Sequence, residues 1–138
     1  FIAKALGGEV RPGPRLEIGP SPITLTVEED TDPVFGTFPP TLEVIQWHSE
    51  SLTLPPGAIL LASSEHFPVQ AFRYGERAYG LLFHLELEQE GVEALCHKFP
   101  NDVQKAGTSA ETLLKSAEKV LPQLHELADR LVAHLTQK

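Results

Sequence analysis

The chain has 138 residues, 41% of them apolar and 22% charged, and a formal net charge of −8. That is enough for one globular domain with a core, and the acidic balance argues against nucleic acid as the main partner, since phosphate binding needs a basic face. No apolar run reaches the roughly 20 residues of a membrane span, no signal peptide is visible, and the single cysteine excludes an internal disulfide, which fits a cytoplasmic setting.

The first residues, FIAKALGG, read as the second half of a helix, with Phe1, Ile2, Ala5 and Leu6 on one face and Gly7-Gly8 as the stop. The absence of any methionine, and a helix with no cap before it, suggest that sequence precedes Phe1. Prolines 12, 14, 20 and 22 then exclude a helix and favour extended or edge pieces. Ile23, Leu25 and Val27 alternate with Thr24, Thr26 and Glu28 as a half-buried strand. Asp32-Pro33 opens a turn that Gly36 and Pro39-Pro40 extend. Further strands are expected at Leu42–Trp47, Ala58–Ala62 and Val69–Tyr74, with a tight turn at Leu54-Pro55-Pro56-Gly57 between the first two. Gly75-Glu76-Arg77 makes a hairpin connection into an apolar strand over Ala78–Leu87 (AYGLLFHLEL).

The pattern changes at Glu88. Glu88–Lys98 is helical, with Val92, Leu95 and Cys96 on one face, and Pro100 breaks it. Ser109 caps a long amphipathic helix reaching Gln137, whose apolar stripe runs through Leu113, Leu114, Ala117, Val120, Leu121, Leu124, Leu127, Leu131, Val132 and Leu135. Pro122 either kinks this helix or restarts it. Strands in the middle with helices at both ends define an α/β or α+β chain.

Few residues carry chemistry. His84 and Glu86 stand two apart at the end of the strand expected over Ala78–Leu87, so their side chains point the same way and the carboxylate can orient the imidazole. By itself H-x-E is a common spacing, equally that of a histidine merely satisfied by a nearby carboxylate. His48 ends another apolar strand, where sites on open sheets collect. His66 lies in a polar loop, and His125 and His134 fall on the solvated face of the last helix. Cys96 is on an apolar stripe and reads as a packed thiol rather than a reactive one.

Several stretches together resemble one family. Trp47-His48-Ser49, the LPPGA turn at 54–58, LLASS at 60–64, Val69-Gln70-Ala71-Phe72 and Gly80–Glu86 are similar to the second half of a class I glutamine amidotransferase domain, of the stand-alone kind resembling the amidotransferase domain of GMP synthase. FIAKALGGEV resembles the helix after that family's nucleophile turn, and LEIG at 16–19, Leu25-Thr26's LT and Asp32-Pro33 are also in place. The likeness covers roughly residues 1–90.

The resemblance implies a flavodoxin-like three-layer α/β sandwich, here lacking its N-terminal strands. Residues 1–138 would be the C-terminal part of a single domain, with the sheet and the end of the nucleophile helix in 1–87 and the C-terminal helices in 88–138. It also implies a Cys-His-Glu triad that hydrolyses the glutamine side-chain amide, with His84 and Glu86 as two members and the cysteine upstream of Phe1. Ser49 and Glu50, beside His48, match positions whose main chain helps hold the substrate. No metal or cofactor is implied. The implied partners are glutamine or another γ-glutamyl substrate, together with a synthase subunit or other acceptor. Neither nucleic acid nor membrane is among them. The 138 residues alone are expected to be inactive and poorly stable.

Two positions depart from the family: Leu85 stands where proline is usual, leaving a looser turn, and Leu82 where glutamine is common. Three alternatives stay open. One is a non-catalytic amidotransferase-like binding or regulatory protein. Another is a hydrolase of a different γ-glutamyl bond. The third is a small barrel holding a metal on His48, Glu50, His84 and Glu86.

Overall fold

The computed structural model describes residues 2–27 and 31–136. Phe1, Glu28 and Gln137, which the sequence assigns to the first helix, the alternating strand and the last helix, lie outside the described residues. In chain order the elements are helix α1 (Ile2–Ala5), strands β1 (Val10–Leu25), β2 (Thr41–Leu52), β3 (Ile59–Ser63), β4 (Ala71–Tyr74) and β5 (Ala78–Leu81), then helices α2 (Gln89–Lys98), α3 (Pro100–Lys105) and α4 (Ala110–Thr136). One 3-10 turn, Phe35–Thr37, precedes β2.

The five strands form one sheet in the order β2-β1-β3-β4-β5, and every neighbouring pair is antiparallel. Beyond β5 the chain curls back, and His84 bridges to Ile45 on the far edge of β2. Helices and sheet share one large apolar core in which Val44, Ile45, Leu61, Ala71 and Phe35 meet Val92, Cys96 and the α4 residues Leu113, Ala117, Leu124 and Leu127. A smaller cluster of Val69 and Phe72, with Leu6, Leu52, Ala58 and Leu60 packed against it, lies beside the N-terminal segment.

β1 is far longer than the alternating stretch at Ile23–Glu28 suggests, because its prolines are compatible with a strand bonded on one side. Leu25 N–H donates to Pro40 O, whereas Thr26 N–H donates to Leu61 O, so odd residues face β2 and even ones face away. Pro12, Pro20 and Pro22 are even-numbered, and β3 pairs only with Thr24 and Leu25. At Pro20 and Pro22 no ladder donor is required on the side where proline lacks one. Gly13 lies in the register shift between Pro12 and Glu17. A Cβ there would stand 2.6 Å from Ser49 O and 2.5 Å from the Phe67 ring. Gly13→Ala is therefore expected to destabilise the protein by about 1–3 kcal/mol through overpacking against backbone. Urea unfolding midpoints compare it with the parent chain, and an unchanged midpoint would refute the close approach.

The tight turn at Pro55-Pro56-Gly57 is confirmed: Ala58 N–H donates to Pro55 O at 3.0 Å, and Gly57 has φ +82°, as the third position of a type II turn requires. Ser109 caps α4, its Oγ accepting from Thr112 N–H at 3.2 Å.

Three expectations are corrected. Of the two readings of Pro122 the restart is excluded, since α4 runs unbroken through it; the residue is exposed, as is Glu118, whose carbonyl loses its helical donor, so water can satisfy that group. The apolar stripe stops at Leu131, since Val132 and Leu135 are exposed. β5 ends at Leu81 rather than Leu87, because the chain bends inward to bury Phe83 and hand His84 to β2. No helix among the described residues is long and apolar enough to cross a membrane.

Candidate active site

His84 and Glu86 meet, although strand alternation is not what joins them. They lie on the bend after β5, where His84 Nδ1 and Glu86 Oε1 are 2.6 Å apart. His84 N–H donates to Ile45 O at 3.0 Å, which fixes the backbone, and its Nε2 lies 3.4 Å from Trp47 O. The neutral imidazole thus carries its proton on Nδ1, donated to Glu86, and presents the Nε2 lone pair. Once Nε2 is protonated, the Trp47 carbonyl becomes its acceptor.

Burial alone would raise the Glu86 pKa, but hydrogen bonds from its own N–H, from His84 and from Leu85 outweigh this and hold it below the ordinary carboxylate value. The Leu85 N–H donates to Glu86 Oε2 at 2.9 Å. Leucine at this position is thus not simply a looser replacement for proline: it supplies an amide donor that proline lacks.

The other sequence candidates make no hydrogen bond to this pair, although the charge of His84 contributes to the lowering of the His48 pKa. Ser49 and Glu50 are exposed on β2, and the Ser49 carbonyl is the atom Gly13 approaches. His48 is not at a strand end, since β2 continues to Leu52. Its Nε2 lies 2.6 Å from Gln46 Oε1 and 3.4 Å from Glu17 Oε1, and its ring meets Phe67 edge-on. The Glu17 contact has ion-pair distance, yet burial opposes charge on both partners: it lowers the His48 pKa to about 4 and raises that of Glu17. The contact is better described as polar than as ionic.

Unfolded His48 takes up a proton below about 6.5 while the folded side chain resists until about 4, so stability falls as pH drops through that window. Glu17 works the other way above its unfolded value, because the folded state retains its proton longer. Thermal melts between pH 7 and 5 should therefore show a loss that His48→Gln reduces. Identical pH slopes in the two proteins would contradict the burial of His48.

Cys96 is buried in the core, and burial pushes its thiol pKa up, the reverse of an activated nucleophile. His66 is exposed, 3.2 Å from Arg15 Nη1. His125 and His134 are half-buried rather than fully solvated, with Nε2 contacts to Leu87 O at 2.9 Å and Glu76 O at 3.3 Å. No three His, Cys, Asp or Glu side chains among the described residues converge as metal ligands, so His48, Glu50, His84 and Glu86 do not form the ligand set of the barrel alternative. Sequence patterning assigns no role to the fully buried Gln46, and none to Asp32 beyond a turn or to Gln70 beyond its place in the family likeness. The only signal for Gln46 and Gln70 is a polar residue inside an otherwise apolar strand pattern.

No protein-family profile matches the chain. Over 95 residues it is 40% identical to a glutamine amidotransferase-like protein of Salmonella typhimurium, covering 69% of this chain and 40% of that one. The crystal structure of a glutamine amidotransferase from Thermotoga maritima matches with a TM-score of 0.87 at 30% identity, over 99% of this chain and 58% of the other. This chain belongs with the glutamine amidotransferases. Its fold is that of the class I type, of which the antiparallel sheet and the helices around it are described here. A subunit of the glutamine-hydrolysing GMP synthase of Sulfolobus acidocaldarius is 35% identical over 97 residues, which are 67% of this chain and 50% of the synthase polypeptide. The chain spans about half the length of the curated relatives it matches.

Proposed function

We propose that this amidotransferase chain supplies the base and its orienting carboxylate for hydrolysis of the glutamine side-chain amide, within the C-terminal part of one domain. The observation that carries the reading is the 2.6 Å contact from His84 Nδ1 to Glu86, which leaves Nε2 as the basic atom. The nucleophile in this reading is a cysteine from the part of the protein that the relatives have and this chain does not span; Cys96 is too deeply packed. Ser49 and Glu50 would hold the substrate through their main chain, with His48 beside them.

The thiol proton passes to His84 Nε2, and the sulfur attacks the amide carbon as the carbonyl electrons move to oxygen. The imidazolium is stabilised by Glu86 on one side and the Trp47 carbonyl on the other. It returns the proton to the amide nitrogen, the C–N bond breaks, ammonia leaves and a γ-glutamyl thioester remains. His84 then takes a proton from water as the water oxygen attacks the thioester carbon; the C–S bond breaks, the imidazolium returns the proton to sulfur, glutamate is released and the thiol is regenerated. The ammonia would pass to an acceptor on a synthase partner, a reading supported by the similarity to a subunit of a glutamine-hydrolysing GMP synthase.

Ammonia release from glutamine by the full-length protein is the direct test. Absence of turnover in a preparation with an intact, titratable cysteine would overturn the reading and favour a non-catalytic binding protein.

A second reading is favoured by the groove beside the pair. It holds about 510 Å³ and is lined on one side by Leu81, Leu82 and Leu85 and on the other by Leu131 and Val132. Such a wall suits an apolar leaving amine better than ammonia, which points to another γ-glutamyl amide as substrate. Comparing γ-glutamyl anilide with glutamine at matched concentrations separates the two.

A further inference from the structure

Behind the candidate base lies a continuous chain of hydrogen bonds, fully buried at its centre. His48 Nε2–H donates to Gln46 Oε1 at 2.6 Å, and Gln46 Nε2 donates to Gln70 Oε1 at 3.0 Å. Gln70 Nε2 donates to Ser64 Oγ at 2.9 Å, and the Ser64 hydroxyl donates to Phe67 O at 3.2 Å. Both glutamines are fully buried. Each donor commits the next amide to one orientation, so the chain has a direction as well as a position.

Gln70 is also a backbone junction. Its N–H donates to Ala62 O at 2.9 Å, and its carbonyl accepts Leu82 N–H at 2.8 Å. Two residues later His84 N–H reaches Ile45 O, immediately before Gln46. The circuit Gln46–Gln70–Leu82–His84–Ile45 is therefore closed by hydrogen bonds. It encloses the backbone that presents Ile45 O and Trp47 O to the histidine. An apolar pair removes the bond between the two amides from both sides at little net cost, and His48 Nε2–H, which loses Gln46, keeps Glu17 Oε1 at 3.4 Å, while the Ser64 hydroxyl keeps Phe67 O. What the two amides secure is geometry.

We propose that Gln46 and Gln70 are positioning residues for His84: through β2 and Leu82 they fix where the imidazole meets Glu86 and where Nε2 points. The inference rests on His84 being the base, but its structural half can be tested independently of turnover.

The experiment uses the full-length protein and the downfield proton resonance of His84 Nδ1–H, assigned by its loss in Glu86→Ala. Gln70→Leu and the double variant Gln46→Leu/Gln70→Leu are compared with Leu124→Ala, a core truncation elsewhere in α4 chosen for a comparable loss of Tm. The glutamine variants should lose or broaden the resonance while the folded near-ultraviolet spectrum persists, and Leu124→Ala should keep it. With glutamine as substrate, kcat should fall about 100-fold, the cost of a misplacement of order 1 Å, with KM within about 2-fold because substrate binding is not what changes. If Gln70→Leu fails to fold, the double variant, which leaves no amide facing a leucine, decides. A resonance and kcat preserved in the double variant, or a resonance lost equally in Leu124→Ala, overturns the proposal. A parent protein without glutaminase activity would sink the proposed function and leave the resonance comparison standing.

Discussion

His84→Ala in the full-length protein is expected to lower glutamine hydrolysis by about 100- to 10,000-fold, the range for losing a positioned general base. The geometry predicts a specific pattern around that loss. Glu86→Ala should do less harm, because the imidazole would remain tethered through its backbone at Ile45 and keep Trp47 O within reach of Nε2. What it would lose is the group fixing its proton on Nδ1, so the fall should appear in kcat more than in KM. Both effects are read from steady-state ammonia release, with circular dichroism confirming that each variant folds. Full activity in His84→Ala would remove the histidine from the mechanism, since neither His48, buried with a pKa of about 4, nor the exposed His66 is placed to replace it.

The parts of this molecule visible in its sequence are those governed by local chemistry. The Gly57 turn, the Ser109 cap and the amphipathic stripe of α4 as far as Leu131 each depend on residues close together in the chain. The His84/Glu86 contact was also legible, but for an incomplete reason: alternation along a strand predicts it, whereas the structure obtains it on a bend. The bend exists because β2 lies opposite and accepts His84, and no local pattern encodes that partner. The same applies to β1. Four prolines suggest extended or edge pieces, but that these join into one 16-residue strand follows only from β2 running along one side of them while β3 pairs with Thr24 and Leu25 alone. Buried polar residues were the least legible. Gln46 and Gln70 are polar residues within strand patterns, and nothing local shows that the fold brings them face to face across 24 residues of sequence.

Asp32 presents the same difficulty with a larger energetic consequence. It reads as the first residue of a turn, yet it is fully buried and accepts hydrogen bonds from two directions. Its Oδ1 takes Val34 N–H at 3.0 Å and Phe35 N–H at 2.7 Å, which shapes the 3-10 turn before β2. Its Oδ2 takes Arg73 Nε at 3.0 Å and the Tyr79 hydroxyl at 2.9 Å, which ties that turn to the β4–β5 hairpin. Arg73 extends the bracing to Thr31 O and Gly75 O. Burial, reinforced by the bond to Asp32, pushes the Tyr79 pKa well up, so the hydroxyl remains a donor at any working pH. Asp32→Ala would leave the Arg73 guanidinium, whose side chain is 14% exposed, without its counter-charge, together with two orphaned backbone amides. The expected cost is about 3–5 kcal/mol, typical of breaking a buried pair from one side, or a fall in Tm of about 10 °C or more. Asp32→Asn should cost less, since its carbonyl oxygen can still serve one side of the bracket. In Asp32→Ala/Arg73→Met the stranded charge is gone, so part of the loss should return. That recovery separates removal of a charge partner from simple loss of packing. If the double variant is as unstable as the sum of the two single ones, the ion pair is not what holds the hairpin in place, and the path from this turn through β5 to His84 must be braced by the Phe35–Tyr79 ring stacking instead.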